Sequence, residues 1–250
     1  LEQMCDHRVQ VVALSLVCLS AIAVAGEKIE LQKFQSLVEL LKAQPGDISS
    51  GNDLRQLCRE NKQYDKCIDF FGNLVKDHPH NVNLRYNAAL AYIDKIPGHS
   101  ILVQARLSTK SIEHMTSVLD VQQNDWMALY IRGINNIYWP SWYRRIGRAV
   151  SDLERCVQLA EATPPAARRS YYALAYVALG DALIKAEREA DAKKVWQDAL
   201  KLDAWSDQLN ARLNKSGAEL REFVDAVRSS DVPIDTDLSM LLYNTSARVQ

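Results

Sequence analysis

Large apolar residues and small ones alternate at fixed helical spacings through most of this chain, and that pairing constrains how closely its helices approach. The clearest instance is Tyr176-x-x-Leu179-Gly180-x-x-Leu183, followed by Ala192-x-x-x-Trp196-x-x-Ala199. Spacings of three and four place these residues on one face of each of two helices. Gly180 and Ala192 let the helices come close, while Tyr176, Leu179, Leu183 and Trp196 fill the space between this pair and its neighbours. The pattern recurs upstream in Leu54-x-x-x-Cys58, Cys67-x-x-x-Phe71 and Pro79, then in Ala88-Ala89-x-x-Tyr92 with Ser111-x-x-x-Met115. A further unit has Leu129, Gly133, Ala149, Leu153 and Cys156. Strand signals are nearly absent after residue 26, and the seven prolines fall between the helical stretches, where a residue without an N–H does no harm. The fold class expected is all-α.

The two-helix unit resembles the tetratricopeptide repeat. The large residue of each second helix falls at Phe71, Met115, Leu153 and Trp196, giving spacings of 44, 38 and 43, where the family's period is about 34. The extra residues carry their own turn chemistry, at Ile96-Pro97-Gly98-His99-Ser100, Trp139-Pro140-Ser141-Trp142 and Ala162-Thr163-Pro164-Pro165. The resemblance covers about residues 51–209 and implies a right-handed superhelical α-solenoid of about four helix-turn-helix repeats. Residues 26–50, with an amphipathic helix near Ile29 to Lys42, are expected to cap one end. Residues 210–250 are expected to cap the other, with a helix from Gly217 to Val227 and a second short helix opened by Asp235-Thr236-Asp237.

Ahead of the repeats, Val9 to Ala25 is an apolar stretch that follows His7-Arg8 and ends in Ala23-Val24-Ala25. Residues 1–25 therefore read as a secretory signal peptide cleaved after Ala25, or, if retained, as an amino-terminal anchor. The protein is expected in the periplasm or cell envelope. Thirty Lys and Arg against 31 Asp and Glu give a net charge of -1, which supplies no field to hold nucleic acid or an anionic membrane surface. Membrane contact is thus expected only through an uncleaved amino-terminal segment.

No motif nominates an active site, a metal site or a cofactor. His-Glu-x-x-His, Gly-x-Ser-x-Gly, Cys-x-x-Cys and a phosphate-cradling glycine loop are all missing from the sequence, and His78-x-His80 adjoins Pro79 in a repeat turn without a completing ligand set. Cys58 and Cys67 lie on the two helices of the first repeat, as a disulfide in an oxidising compartment or as two buried thiols. The reading is a non-catalytic interaction module.

In the family the first helices of the repeats line a groove for peptides or partner segments. The resemblance therefore implies a binding face of Gln56, Arg59, Tyr86, Asn87, Leu90, Tyr130, Ile134, Asp181 and Lys185. Met127 and Ile131 stand where a carboxylate-gripping groove needs cations, so a mixed aromatic and apolar groove for a helix or extended segment is expected. Aromatics and arginines of the third repeat's turn join the candidates: Trp142, Arg144 and Arg145 as binding residues, with Trp139 turned inward as a plug. The partner expected is another extracytoplasmic protein or peptide segment. The alternative is a periplasmic small-molecule-binding repeat protein associated with solute uptake, in which the aromatics enclose a pocket.

Overall fold

A computed structural model describes residues 31–139, 144–201 and 206–238. The stretch expected to be a signal peptide or anchor, residues 1–25, and Trp142 lie outside the described residues. A helix, α1, runs through residues 31–43, followed by α2 (Ile48–Glu60), α3 (Tyr64–Asp77), α4 (Val82–Asp94), α5 (Ile101–Leu119), α6 (Trp126–Ile137) and α7 (Ile146–Ala162). Two short 3-10 turns then lead into α8 (Ala173–Lys185), α9 (Glu189–Leu200), α10 (Ser206–Leu213) and α11 (Gly217–Val227). Among the described residues there is no strand, and no helix is long and apolar enough to cross a membrane.

The helices pair in sequence: α2 on α3, α4 on α5, α6 on α7, α8 on α9, with each second helix also packing on the next pair. Short polar side chains start the first helices. Asp47, Asn81 and Asp125 cap α2, α4 and α6 by accepting from backbone N–H groups two or three residues on, and Asp125 does so at 2.7 Å from Ala128 N. Its other carboxylate oxygen accepts from Tyr86 Oη at 2.6 Å, tying the second pair to the third. In the first and last pairs the helices turn through one left-handed residue, Lys62 (φ 55°) or Glu187 (φ 61°). The next N–H then reaches back five residues, Gln63 to Cys58 O at 2.7 Å and Arg188 to Leu183 O at 2.8 Å. Both are helix-ending motifs that satisfy orphan carbonyls without glycine.

Phe71, Met115, Leu153 and Trp196, the large residues of the second helices, are all fully buried. The stack is an α-solenoid whose layers are held by these wedges. After it, α10 packs on α9 and α11 on α8, so the carboxy-terminal cap contains a helix, α10, that the sequence reading did not separate from its surroundings. Residues 233–237 form no regular element, and the second short helix expected to be opened by Asp235-Thr236-Asp237 would run on past residue 238, outside the described residues.

Two outcomes are expected from this packing. A Cβ placed on Gly180 would meet Trp196 Nε1 at 2.0 Å and Cε2 at 2.2 Å, and the indole is fully buried. Gly180→Ala should therefore lower stability by about 3 kcal/mol and Gly180→Leu by more, read as the denaturant midpoint. His114 stacks on Tyr92 at 5.8 Å, and its Nδ1 is buried without a hydrogen-bond partner among the described residues. Burial, assisted by Arg85, depresses its pKa from 6.5 to about 4. The unfolded chain then takes up the proton first, so this contribution is intact above pH 6.5 and is lost as the pH falls towards 4. The loss should be about 2 kcal/mol after allowance for partial exposure, and His114→Gln should remove that part of the acid sensitivity in pH-dependent melts.

Candidate partner-binding groove

The first helices α2, α4, α6 and α8 present one continuous face, and the carboxy-terminal segment 229–238 lies along it in reverse order, from the last repeat to the first. Its root is fixed by buried charge. Asp181 on α8 is fully buried and accepts from Arg212 of α10 at 2.6 and 2.8 Å and from Arg228, just after α11, at 2.7 Å. Arg228 also donates to Tyr138 Oη at 3.1 Å. Lys185 donates to the backbone oxygens of Ile137 (3.0 Å) and Arg228 (2.9 Å), and its burial lowers its pKa.

Midway, Ile234 enters an apolar cleft made with Leu90, Ile93, Met127, Tyr130, Ile131 and Ile134. Burial raises the Tyr130 phenol above its usual range, so it is neutral at any physiological pH. At the far end a polar cluster holds the segment. Arg55 is fully buried on α2 and spends its guanidinium on Asn87 Oδ1 (3.0 Å), Asp94 Oδ2 (2.9 Å), Asn52 Oδ1 (2.8 Å) and the backbone oxygen of Thr236 (2.7 Å). Arg59 donates to Thr236 Oγ1 at 3.0 Å, and that hydroxyl donates to Asp94. Asn52 donates to Asp237 Oδ1 at 2.9 Å and accepts from the Leu238 N–H at 3.0 Å. The side chains that read the segment's backbone are thus Asn52 and Arg55. Space for Asn87 to reach Arg55 exists because residue 51 is glycine: a Cβ there would lie 2.3 Å from Asn87 Nδ2.

Of the residues the sequence nominated, Arg59, Leu90, Tyr130 and Ile134 contact or line this segment, and Asn87 positions Arg55. Gln56 accepts from Arg59 at 3.2 Å, and its buried amide nitrogen donates to nothing among the described residues. Tyr86 is committed to Asp125, and Asp181 and Lys185 to the segment's root. Arg144 and Arg145 are placed elsewhere. Arg144 is exposed, and Arg145 lies 4.8 Å over the Trp139 ring and donates to Ser108 and Thr109 on α5. Trp139 itself is 4% exposed and donates to Ser108 Oγ at 3.0 Å, which is the inward plug. Sequence reasoning missed Asn52, Arg55 and Asp94. Their signal was present, since Asn52, Arg55 and Arg59 recur at helical spacing on α2, with Asn87 and Asp94 seven apart on α4.

A search of solved structures returns a tetratricopeptide repeat protein from Parabacteroides merdae, whose crystal structure matches with a TM-score of 0.50 over 89% of this chain and 76% of that one. The fold is that of a tetratricopeptide-repeat protein. Identity to that chain is 12%, which speaks to fold alone. No family model and no curated protein matches the sequence. The chain is a repeat solenoid, and the face of its first helices carries its own carboxy-terminal segment.

Cys58, Cys67 and Cys156 are free thiols, all buried. Cys58 and Cys67 share a hydrogen bond that lowers the pKa of the first and raises that of the second. Among the described residues no group of His, Cys, Asp and Glu could hold a metal ion.

Asp181 is the counterion for two buried arginines, so Asp181→Ala should cost about 3 to 5 kcal/mol in a urea titration. The larger part of that cost is the charge left unpaired rather than the bonds lost.

Proposed function

We propose that this protein is a non-catalytic scaffold of the periplasm or cell envelope whose repeat groove grips an extended segment of another exported protein. The observation that carries this reading is the segment already seated there. An extended chain is held by side chains that address its backbone, Asn52 to the Leu238 N–H and Arg55 to the Thr236 carbonyl, and by an apolar cleft for one side chain between them. That is how grooves recognise peptides: main-chain hydrogen bonds supply affinity and pockets supply selectivity. The space left beside the segment near Tyr130, Tyr138, Val177 and Arg228 is about 210 Å³, below the roughly 300 to 1,000 Å³ of usual small-molecule sites. Within the groove this favours a peptide over a solute; the larger clefts, about 430 Å³ beside Arg212 and Phe223 and about 410 Å³ beside Arg144 and Arg145, lie off the groove. Export rests on the apolar stretch from Val9 to Ala25 and on Ala23-Val24-Ala25.

A photo-crosslinking amino acid at Gln56, in the groove, is expected to trap a discrete partner in envelope fractions, and one at Lys110 on α5 is expected not to. Adding Arg59→Glu should abolish the adduct. Equal labelling at both positions, or none at either, overturns the groove assignment. This chain itself, taken from envelope fractions without crosslinking, should have an intact mass that begins at Gly26; protein confined to the cytoplasm overturns export.

A further inference from the structure

The segment in the groove has the character of a ligand more than of a structural element. It forms no helix, and its burial is deepest at alternate residues, with Asp237 half-buried between two of them. Thr236 and Leu238 are buried and Ile234 is half-buried, whereas Asp235 between them is exposed. The wedges that hold the solenoid, Phe71, Met115, Leu153 and Trp196, are buried between helices, and the segment adds Leu238 to the cluster of Met115 and packs Ile234 onto that of Leu153 and Trp196. Lifting the segment away also strands no charge: Arg55 keeps Asn52, Asn87 and Asp94 as partners. A buried ion pair that remains paired costs little to leave behind, whereas a broken one costs several kcal/mol. Charge adds direction. Residues 231–238 carry Asp231, Asp235 and Asp237 and no cation, and their Thr236 hydroxyl accepts from Arg59, whose side chain is 30% exposed and 3.6 Å from its only intramolecular carboxylate among the described residues, Asp94.

We propose that residues 231–238 are an exchangeable internal ligand, and that the partner docks by displacing them with an extended acidic segment of the same chemistry. The displacing segment has a branched apolar residue for the Ile234 cleft, a hydroxyl residue two positions on to bridge Asp94 and Arg59, and a leucine-sized residue two further on, with carboxylates between. This inference rests on the peptide-groove reading above and adds to it the partner's chemistry and the competition it must win. The 210 Å³ space beside Ile234 is where a foreign segment can bury more than the chain's own tail does.

The test uses the full chain and a fluorescein-labelled peptide of residues 229–240. Ile234→Asp combined with Thr236→Ala should free the groove, so that this variant binds the peptide at least about tenfold more tightly than wild type, whose own tail competes. Arg59→Glu in that background should reverse the gain, and a peptide with Asp235→Lys and Asp237→Lys should fail to bind. Hydrogen exchange on wild type is the companion measurement: the Leu238 amide should exchange faster than the amides of α8, through local release. Exchange of Leu238 only with global unfolding, loss of the cooperative melt in the double variant, or a folded variant that ignores the peptide would each overturn the proposal. A wild-type dimer joined by swapped tails would overturn it too, since the tail would then be a connector between copies. A partner trapped at Gln56 alongside an unyielding tail defeats this inference alone; a yielding tail with no trapped partner defeats the reading beneath it.

Discussion

The separation between paired helices is set where a small side chain on the first meets a large one on the second, and the rest of the molecule follows from that spacing. Trp196 against Gly180 is the tightest instance, and Leu153 against Gly133 repeats it one layer earlier, where a Cβ would come within 2.8 Å of the leucine. A helix pair that close turns the opposite side of its first helix away from its partner. The first helices therefore line up side by side as one face. That face inherits an uneven chemistry: branched and aromatic residues in the middle from α4 and α6, and polar clusters at either end from α2 and α8.

Those clusters solve a problem of the interior as well as presenting a surface. Arg55 and Asp181 are fully buried ions, and each is saturated by more than one partner. Burying ions costs more than pairing them returns unless the geometry is nearly complete. Such groups are retained where they fix one arrangement over others. Asp181 fixes how α10 and the end of α11 sit on the last repeat, and Arg55 fixes how an extended chain sits on the first.

Much of this was legible in the residue spacing. The large residue of each second helix could be read from Phe71, Met115, Leu153 and Trp196 because hydrophobic periodicity survives insertions in the turns. The inward turn of Trp139 was legible too, since a ring beside a proline at a repeat junction has few places to go. The groove's polar end was not, because a buried arginine looks like a surface one until its partners are known, and those of Arg55 come from its own helix, from α4 and from a segment more than 180 positions away. The seat of residues 236–238 was hidden for a related reason: Asp235-Thr236-Asp237 reads locally as a helix start, and nothing local reveals that a distant groove offers this stretch backbone partners.

The tail also alters the topology of folding. In a solenoid each layer touches its neighbours alone, so contacts are local and structure can spread from any pair. Here the hydrogen bonds from Asn52, Arg55 and Arg59 to residues 236–238 span 177 to 186 positions and join the first repeat to the last segment. Closing so long a loop is slow compared with forming adjacent helix pairs. The array is therefore assembled before its ends are linked, and the groove is complete and empty for a time in the life of every molecule.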